Sequence, residues 1–221
     1  MQIEITQDGS STIFIPEWNE RYHSKNGAIQ ESLYVYIQNG LNHCFRPQIH
    51  ILEIGLGTGL NVLLTILHQK NDTSIHYISL EPYPLNKELY TALNFIQLAE
   101  FQNLSEIYFQ IHECAENTPQ LFKENFCFTK LYTKIQDFRS DKKFDLVYWD
   151  AFGPRVQPEM WSLDLCKKIY DLLNPNGFIV TYCAQGQFKR NLKAAGFKVE
   201  SLPGPLLKRE MTRAMKANCN S

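Results

Sequence analysis

The chain has 221 residues, 44% hydrophobic and 20% charged, with a formal net charge of −1. That is ordinary for one large soluble domain with or without a small appendage, and the total charge does not advertise nucleic acid. The longest apolar run, Ile51 to Leu67, contains Glu53 and three glycines and is no membrane span, while six cysteines without a C-x-x-C pair argue against a zinc or redox motif.

In chain order, "IEIT" and "STIFI" flank Gln7-Asp8-Gly9-Ser10 and read as a hairpin. The opening "MQIEITQDGS" lacks the basic-then-apolar profile of a signal peptide, so cytoplasm is the expected compartment. A helical pattern runs from Ala28 to Asn39 and Gly40 stops it. From residue 48 strands and helices alternate: "QIHILEIG" strand, "GLNVLLTILHQ" helix, "SIHYISLEP" strand, "PLNKELYTALNFIQLAE" helix. Residues 102–126 leave open one or two helices or an irregular insertion. "TKLYTKIQDF" and "KFDLVYWDAF" read as strands, Pro158 to Leu173 as a helix ended by "NPNG", "GFIVTYCA" as a strand and "GQFKRNLKAAG" as a helix. "FKVESLPG" and "REMTRAMK" follow without an intervening helix, as an antiparallel pair. The pattern predicts an α/β, Rossmann-like, mainly parallel doubly wound sheet with a C-terminal antiparallel hairpin, the outline of class I methyltransferases. Residues 1–47 are expected to form a hairpin-and-helix extension and 48–221 the main domain.

From Gly186 onward eight positive side chains face two negative ones, a local net charge of +6. Such a segment is either a solvated basic tail or a surface that meets polyanions.

"LEIGLGTGLN" places Gly55, Gly57 and Gly59 between a strand and a helix, with Asn61 opening the helix. Glycines there let the backbone turn tightly and approach a ligand. Nicotinamide-binding turns favour G-x-G-x-x-G because a pyrophosphate sits on the helix N-terminus. Here the spacing is G-x-G-x-G, and the Glu53 carboxylate would repel a pyrophosphate but suits the cationic aminoacid end of S-adenosylmethionine. Glu81 closes the second strand, where an acid takes both ribose hydroxyls. Asp137 ends the predicted third strand, where it can accept the adenine amino group, and Asp150 ends the fourth. Four acids at successive strand ends lie along the crevice where such sheets bind ligands, and they predict an S-adenosylmethionine site without metal.

Methyl transfer from a sulfonium is an in-line displacement that needs a free lone pair. A protonated aliphatic amine must first shed a proton, and Asp150 is placed to bind the ammonium and accept it. Phe152 and Trp161 are expected either to wall a pocket for a planar base or to pack in the core, and Trp149 to pack in the core.

"DGSSTIF", "ERYHSKNGAIQES", "ILEIGLGTGLN", "LVYWDAFGPRVQPEMW" and "GPLLKREMTRAM" occur in this order. Over essentially its whole length the chain resembles the bacterial tRNA wobble-uridine methyltransferases, the MnmD group, similar to the methyltransferase half of bifunctional MnmC. The resemblance implies methylation of the amine of 5-aminomethyl-(2-thio)uridine at position 34, in the anticodon region of tRNA, with Asp150 the acid needed for activity. It also implies that Tyr22, His23, Ser24 and Glu31 help close the cofactor pocket, His23 being equally readable as a structural histidine. Lys208, Arg209 and Arg213 are expected to contact phosphates, and Glu210 to pair with Arg209. Bifunctional relatives carry a flavin-dependent oxidase half. This chain shows no second glycine fingerprint, so no flavin is expected and any oxidase or upstream uridine-modifying enzyme is expected to be separate. Two other readings remain open: an amine methyltransferase acting on a protein or small molecule, and a non-catalytic cofactor-binding scaffold in tRNA maturation.

Overall fold

The computed structural model describes residues 1–205 and 208–217. Cys219 lies outside the described residues. Strands β1 (Gln2–Ile5) and β2 (Ser11–Ile15) pair antiparallel as the predicted hairpin, and a two-residue strand β3 (Glu20–Arg21) adds to β2. Asp8 closes the turn by accepting from the Thr6 hydroxyl and the Ser10 N–H, while Gly9 takes a positive φ of 83°. Helix α1 (Ala28–Ser32) runs directly into π-type turns over Leu33–Gln38, so the predicted helix exists as one run with a widened second half.

Among the described residues the main sheet has eight strands, in the order Phe197–Pro203, Glu210–Lys216, Leu173–Thr181, Phe144–Trp149, Gln48–Ile54, Ser74–Leu80, Phe126–Leu131 and Gln120–Lys123. Its central strands β4 (Gln48–Ile54), β5 (Ser74–Leu80), β7 (Phe126–Leu131), β8 (Phe144–Trp149) and β9 (Leu173–Thr181) are parallel. The hairpin of β10 (Phe197–Pro203) and β11 (Glu210–Lys216) lies antiparallel on β9, and β6 (Gln120–Lys123) lies antiparallel on β7. Helices α2 (Leu60–His68), α3 (Lys87–Ala92), α4 (Ser105–Glu113), α5 (Leu163–Leu172) and α6 (Gly186–Ala194) complete the predicted alternation. All six residues of β8 are buried, as a parallel strand covered on both faces requires. One buried cluster joins Ile13, Val35 and Tyr36 to Ile51, Tyr77 and Tyr148; the other joins Val147 and Trp149 to Ile169 and Phe188. From β4 the chain winds one way to β5, and from β8 the other way to β9. Their carboxyl ends therefore form a topological switch point, where such sheets bind ligands.

Two expectations are corrected. The predicted helix over residues 84–100 stops at Ala92 and continues as 3-10 turns, because Asn94 is taken up by the N-terminal hairpin. Its side chain accepts from Ser11 N–H and donates to Gly9 O, while its own N–H goes to Ser11 Oγ. The third parallel strand is Phe126–Leu131 rather than "TKLYTKIQDF", since Phe126, Phe128 and Lys130 supply the buried alternation and the chain then turns, with Asp137 and Phe138 N–H groups on Lys134 O. Asp137 thus sits in an exposed turn beyond the strand end. Residues 102–126 hold one helix, α4, and the edge strand β6.

Candidate active site

A cleft of about 1100 Å³ opens at the carboxyl ends of β4, β5 and β8. Gly55, Gly57 and Gly59 all have positive φ between β4 and α2. At Gly55 the chain passes so close to β8 that a Cβ would stand 2.6 Å from Asp150 O, and at Gly57 a Cβ would press on the Tyr22 ring at 3.1 Å. The bare loop therefore lets Asp150 and Tyr22 approach from opposite sides.

Glu81 follows β5 and lines the cleft, accepting from Gly57 N–H at 3.0 Å and Tyr83 N–H at 2.9 Å. Burial raises its pKa, against the pull of those backbone donors. Asp150 follows β8 on the cleft floor, where Asn61 of α2 donates to its Oδ2 at 2.9 Å. Burial lifts the Asp150 carboxyl to about 6, and the Tyr36 phenol and the Asn61 amide restrain the rise. At neutral pH Asp150 is therefore mostly an anion, close enough to its pKa to take and release a proton.

From the N-terminal segment Tyr22, His23, Ser24 and Glu31 all line the cleft. Glu31 accepts from Ser24 N–H at 2.8 Å and pairs with Lys208. His23 reaches Thr12 at 3.4 Å and Thr58 at 3.3 Å, and burial pushes it down to about 4. Its ring thus bridges the hairpin to the glycine loop. Phe152 lines the cleft between Trp18 and Tyr22, with edge-on ring contacts at 5.4 and 5.0 Å.

Several predicted site residues stand elsewhere. Glu53 lies inside β4, one residue before the strand ends, wholly buried behind the cleft-lining Asn61. Ser79 donates to its Oε2 at 2.6 Å, and burial raises it to about 8 against the pull of Ser79, Asn61 and Tyr77. Asp137 does not line the cleft. Trp161 is 3% exposed, stacks on Trp149 and donates to Phe152 O, so it supports Phe152 from behind rather than walling the pocket. Lys208 turns inward, over the Tyr182 ring at 4.6 Å, instead of outward to phosphates. Arg213 is paired with Glu200, and Glu210 with Lys189 rather than Arg209. Arg209 is exposed.

The sequence reading missed Tyr36 and Tyr182, which flank Asp150, and Trp18 at the rim. Tyr182 follows β9, so the strand-end rule that singled out the acids also points to it. Tyr36 carried no such signal, being one aromatic in an apolar helical run.

These residues fit S-adenosylmethionine. Gly57 lets the Tyr22 ring close against the loop, Glu81 presents a carboxylate to the cleft after β5, and the anion of Asp150 among phenols suits a cationic group. A crystal structure of MnmC2 from Aquifex aeolicus superposes with a TM-score of 0.80 at 28% identity, over 98% of this chain and 70% of that one. The bifunctional protein MnmC of tRNA 5-methylaminomethyl-2-thiouridine biosynthesis from Hydrogenovibrio crunogenus is 30% identical over 95% of this chain and 33% of its own length. Its Campylobacter jejuni counterpart is 29% identical over 94% of this chain and 35% of its own. The chain thus spans about a third of the length of these curated relatives. Residues 102–217, which carry Asp150 and the strands behind it, match a family described as S-adenosyl-L-methionine-dependent methyltransferase. With the glycine loop, Glu81 and Asp150 gathered at the switch point of the sheet, the chain belongs to the S-adenosyl-L-methionine-dependent methyltransferase family.

Proposed function

We propose that the chain methylates the exocyclic amine of 5-aminomethyl-(2-thio)uridine at the wobble position of tRNA, giving 5-methylaminomethyl-(2-thio)uridine. The observation that carries this reading is the Asp150 carboxylate on the floor of a cleft walled by Tyr36, Phe152 and Tyr182. An anion among aromatic faces attracts an ammonium and then holds its proton. The names of the MnmC relatives support tRNA as the substrate.

S-adenosylmethionine, when bound, supplies a methyl on a sulfonium, which only a neutral amine can attack. Asp150 takes one proton from the substrate ammonium and frees the nitrogen lone pair. On taking the methyl the amine would become a secondary ammonium, the proton it lost beforehand being held on Asp150. Phe152, with Trp18 exposed at the rim, offers planar faces to a nucleobase turned into the cleft. The exposed cations Arg190, Lys193, Lys198 and Arg209 supply charge for the flanking phosphates of the anticodon region. We place the protein in the cytoplasm with its tRNA, downstream of an enzyme that exposes the aminomethyl group. No helix among the described residues is long and apolar enough to cross a membrane.

The test is incubation with methyl-labelled S-adenosylmethionine and bulk tRNA from cells lacking the modification, followed by nucleoside mass spectrometry. Label in 5-methylaminomethyl-(2-thio)uridine is the expected outcome. Label confined to protein or small amines overturns the reading.

A further inference from the structure

Two arms from distant parts of the chain frame the cleft mouth: the turn that joins β2 to β3, carrying Trp18, and the loop after β8, carrying Phe152. The second arm is braced from behind. Phe152 N–H donates to Gln157 Oε1 at 3.1 Å, and Trp161 Nε1 donates to Phe152 O at 2.9 Å. The first arm stands further out. Trp18 is 44% exposed, and its turn is closed locally, by Trp18 N–H on Ile15 O and Asn19 N–H on Pro16 O. Asn19 takes a left-handed φ of 47° to complete it.

Among the described residues, the hydrogen bonds that reach this turn from elsewhere in the chain come from Arg155. Gly153 O accepts from Val156 and Gln157 N–H, so a tight turn carries Arg155 at its head. Its Nη2 lies 2.8 Å from Trp18 O, 3.2 Å from Asn19 O and 3.0 Å from Glu20 Oε2. Two carbonyls and a carboxylate thus converge on one end of a planar cation that keeps its charge. Arg155 is exposed, and exposed ion pairs add little to stability. What the contact fixes is geometry. It holds Trp18 against Phe152 with the ring planes 81° apart, and Phe152 in turn stands edge-on to Tyr22 beside the glycine loop. Two rings at a corner take a flat base against one face and stop it with the other.

We propose that Arg155 is a positioning residue for acceptor recognition: it clasps the β2–β3 turn so that Trp18 stands at the cleft mouth to stack on the nucleobase turned into it. The inference rests on the proposed nucleobase substrate and gives Arg155 itself no contact with RNA. Because Trp18 is set before the base arrives, less of the stacking energy is spent on ordering the rim.

The test is a double-mutant cycle of Arg155→Ala, Trp18→Ala and their combination, with bulk tRNA from cells lacking the modification. Arg155→Ala should raise the tRNA KM about tenfold, within the range of one lost base–aromatic stack. Its kcat should stay within about threefold, and its affinity for S-adenosylhomocysteine should not change. Trp18→Ala should raise KM at least as much, and the combined variant no more than Trp18→Ala alone. Acrylamide quenching of Trp18 fluorescence, taken as the difference that Trp18→Phe makes in each background, should steepen in Arg155→Ala with no RNA present. Unchanged KM or unchanged quenching in Arg155→Ala overturns the proposal. So do additive losses with a salt slope lowered by about one, which would make Arg155 a direct phosphate contact. Wild-type protein that leaves this tRNA unmethylated overturns the substrate reading and the proposal together, whereas a failure confined to the variants overturns the proposal alone.

Discussion

Desolvation holds Asp150 near 6, about two units above the usual aspartate value of 3.8, and this has opposite consequences for turnover and for stability. For turnover, the carboxylate must be ionised to take a proton, so methyl transfer should fall away below about pH 6. Asp150→Asn should bind S-adenosylhomocysteine like wild type and lose on the order of a hundred- to ten-thousandfold in single-turnover rate. Near wild-type turnover would reduce Asp150 to a strand cap. For stability, the native state holds this proton to higher pH than the unfolded chain does. Stability from this group is full below the unfolded value and is lost as pH rises through the folded one. At pH 7 the asparagine variant escapes that loss, so its thermal midpoint should equal or exceed that of wild type, a trade of stability for activity. Asp150 and Glu81 were legible in the sequence because each directly follows an unmistakable strand. Asp137 misled because its supposed strand ends earlier.

Among the elements, the turn between β4 and α2 bears the tightest constraint. Gly55 has a φ of 95° and no room for a Cβ beside Asp150 O. Gly55→Ala should destabilise the fold by about 1–3 kcal/mol through backbone strain alone, and it should push the β8 terminus away and weaken S-adenosylhomocysteine binding. Urea unfolding and calorimetry read the two effects, and a variant with both unchanged would show the loop to be pliable. Alternating patterns made β4, α2, β5, β8 and α6 readable nearly to the residue, since each has a consistent period between clear stop signals. The failures share another cause. β3 is two polar residues long, and the helix after β5 is broken by Asn94, whose partners lie at Gly9 and Ser11. No local pattern reports a bond to residues so far back in the chain.

For the whole molecule, the basic C-terminal segment divides into two populations. Lys189, Arg213 and Lys216 are occupied by Glu210, Glu200 and the carbonyls of Tyr170 and Leu173, whereas Arg190, Lys193, Lys198 and Arg209 are exposed. Composition reported the charge but not its internal pairing. Replacing Arg190, Lys193 and Arg209 by alanine should weaken tRNA binding and lower its salt slope by roughly one for each phosphate no longer neutralised. Arg213→Ala should leave the slope unchanged, and binding measured across a salt series distinguishes the two. The ion pair between Glu31 and Lys208 closes one side of the cleft across a separation of 177 residues. Contacts of such long range form late, because a large loop must be closed before they return any free energy. During synthesis the glycine loop, and even Asp150, will have left the ribosome before Lys208 has been made. The parallel core can thus condense around a groove still open on one flank, which closes when the β10–β11 hairpin brings Lys208 to Glu31.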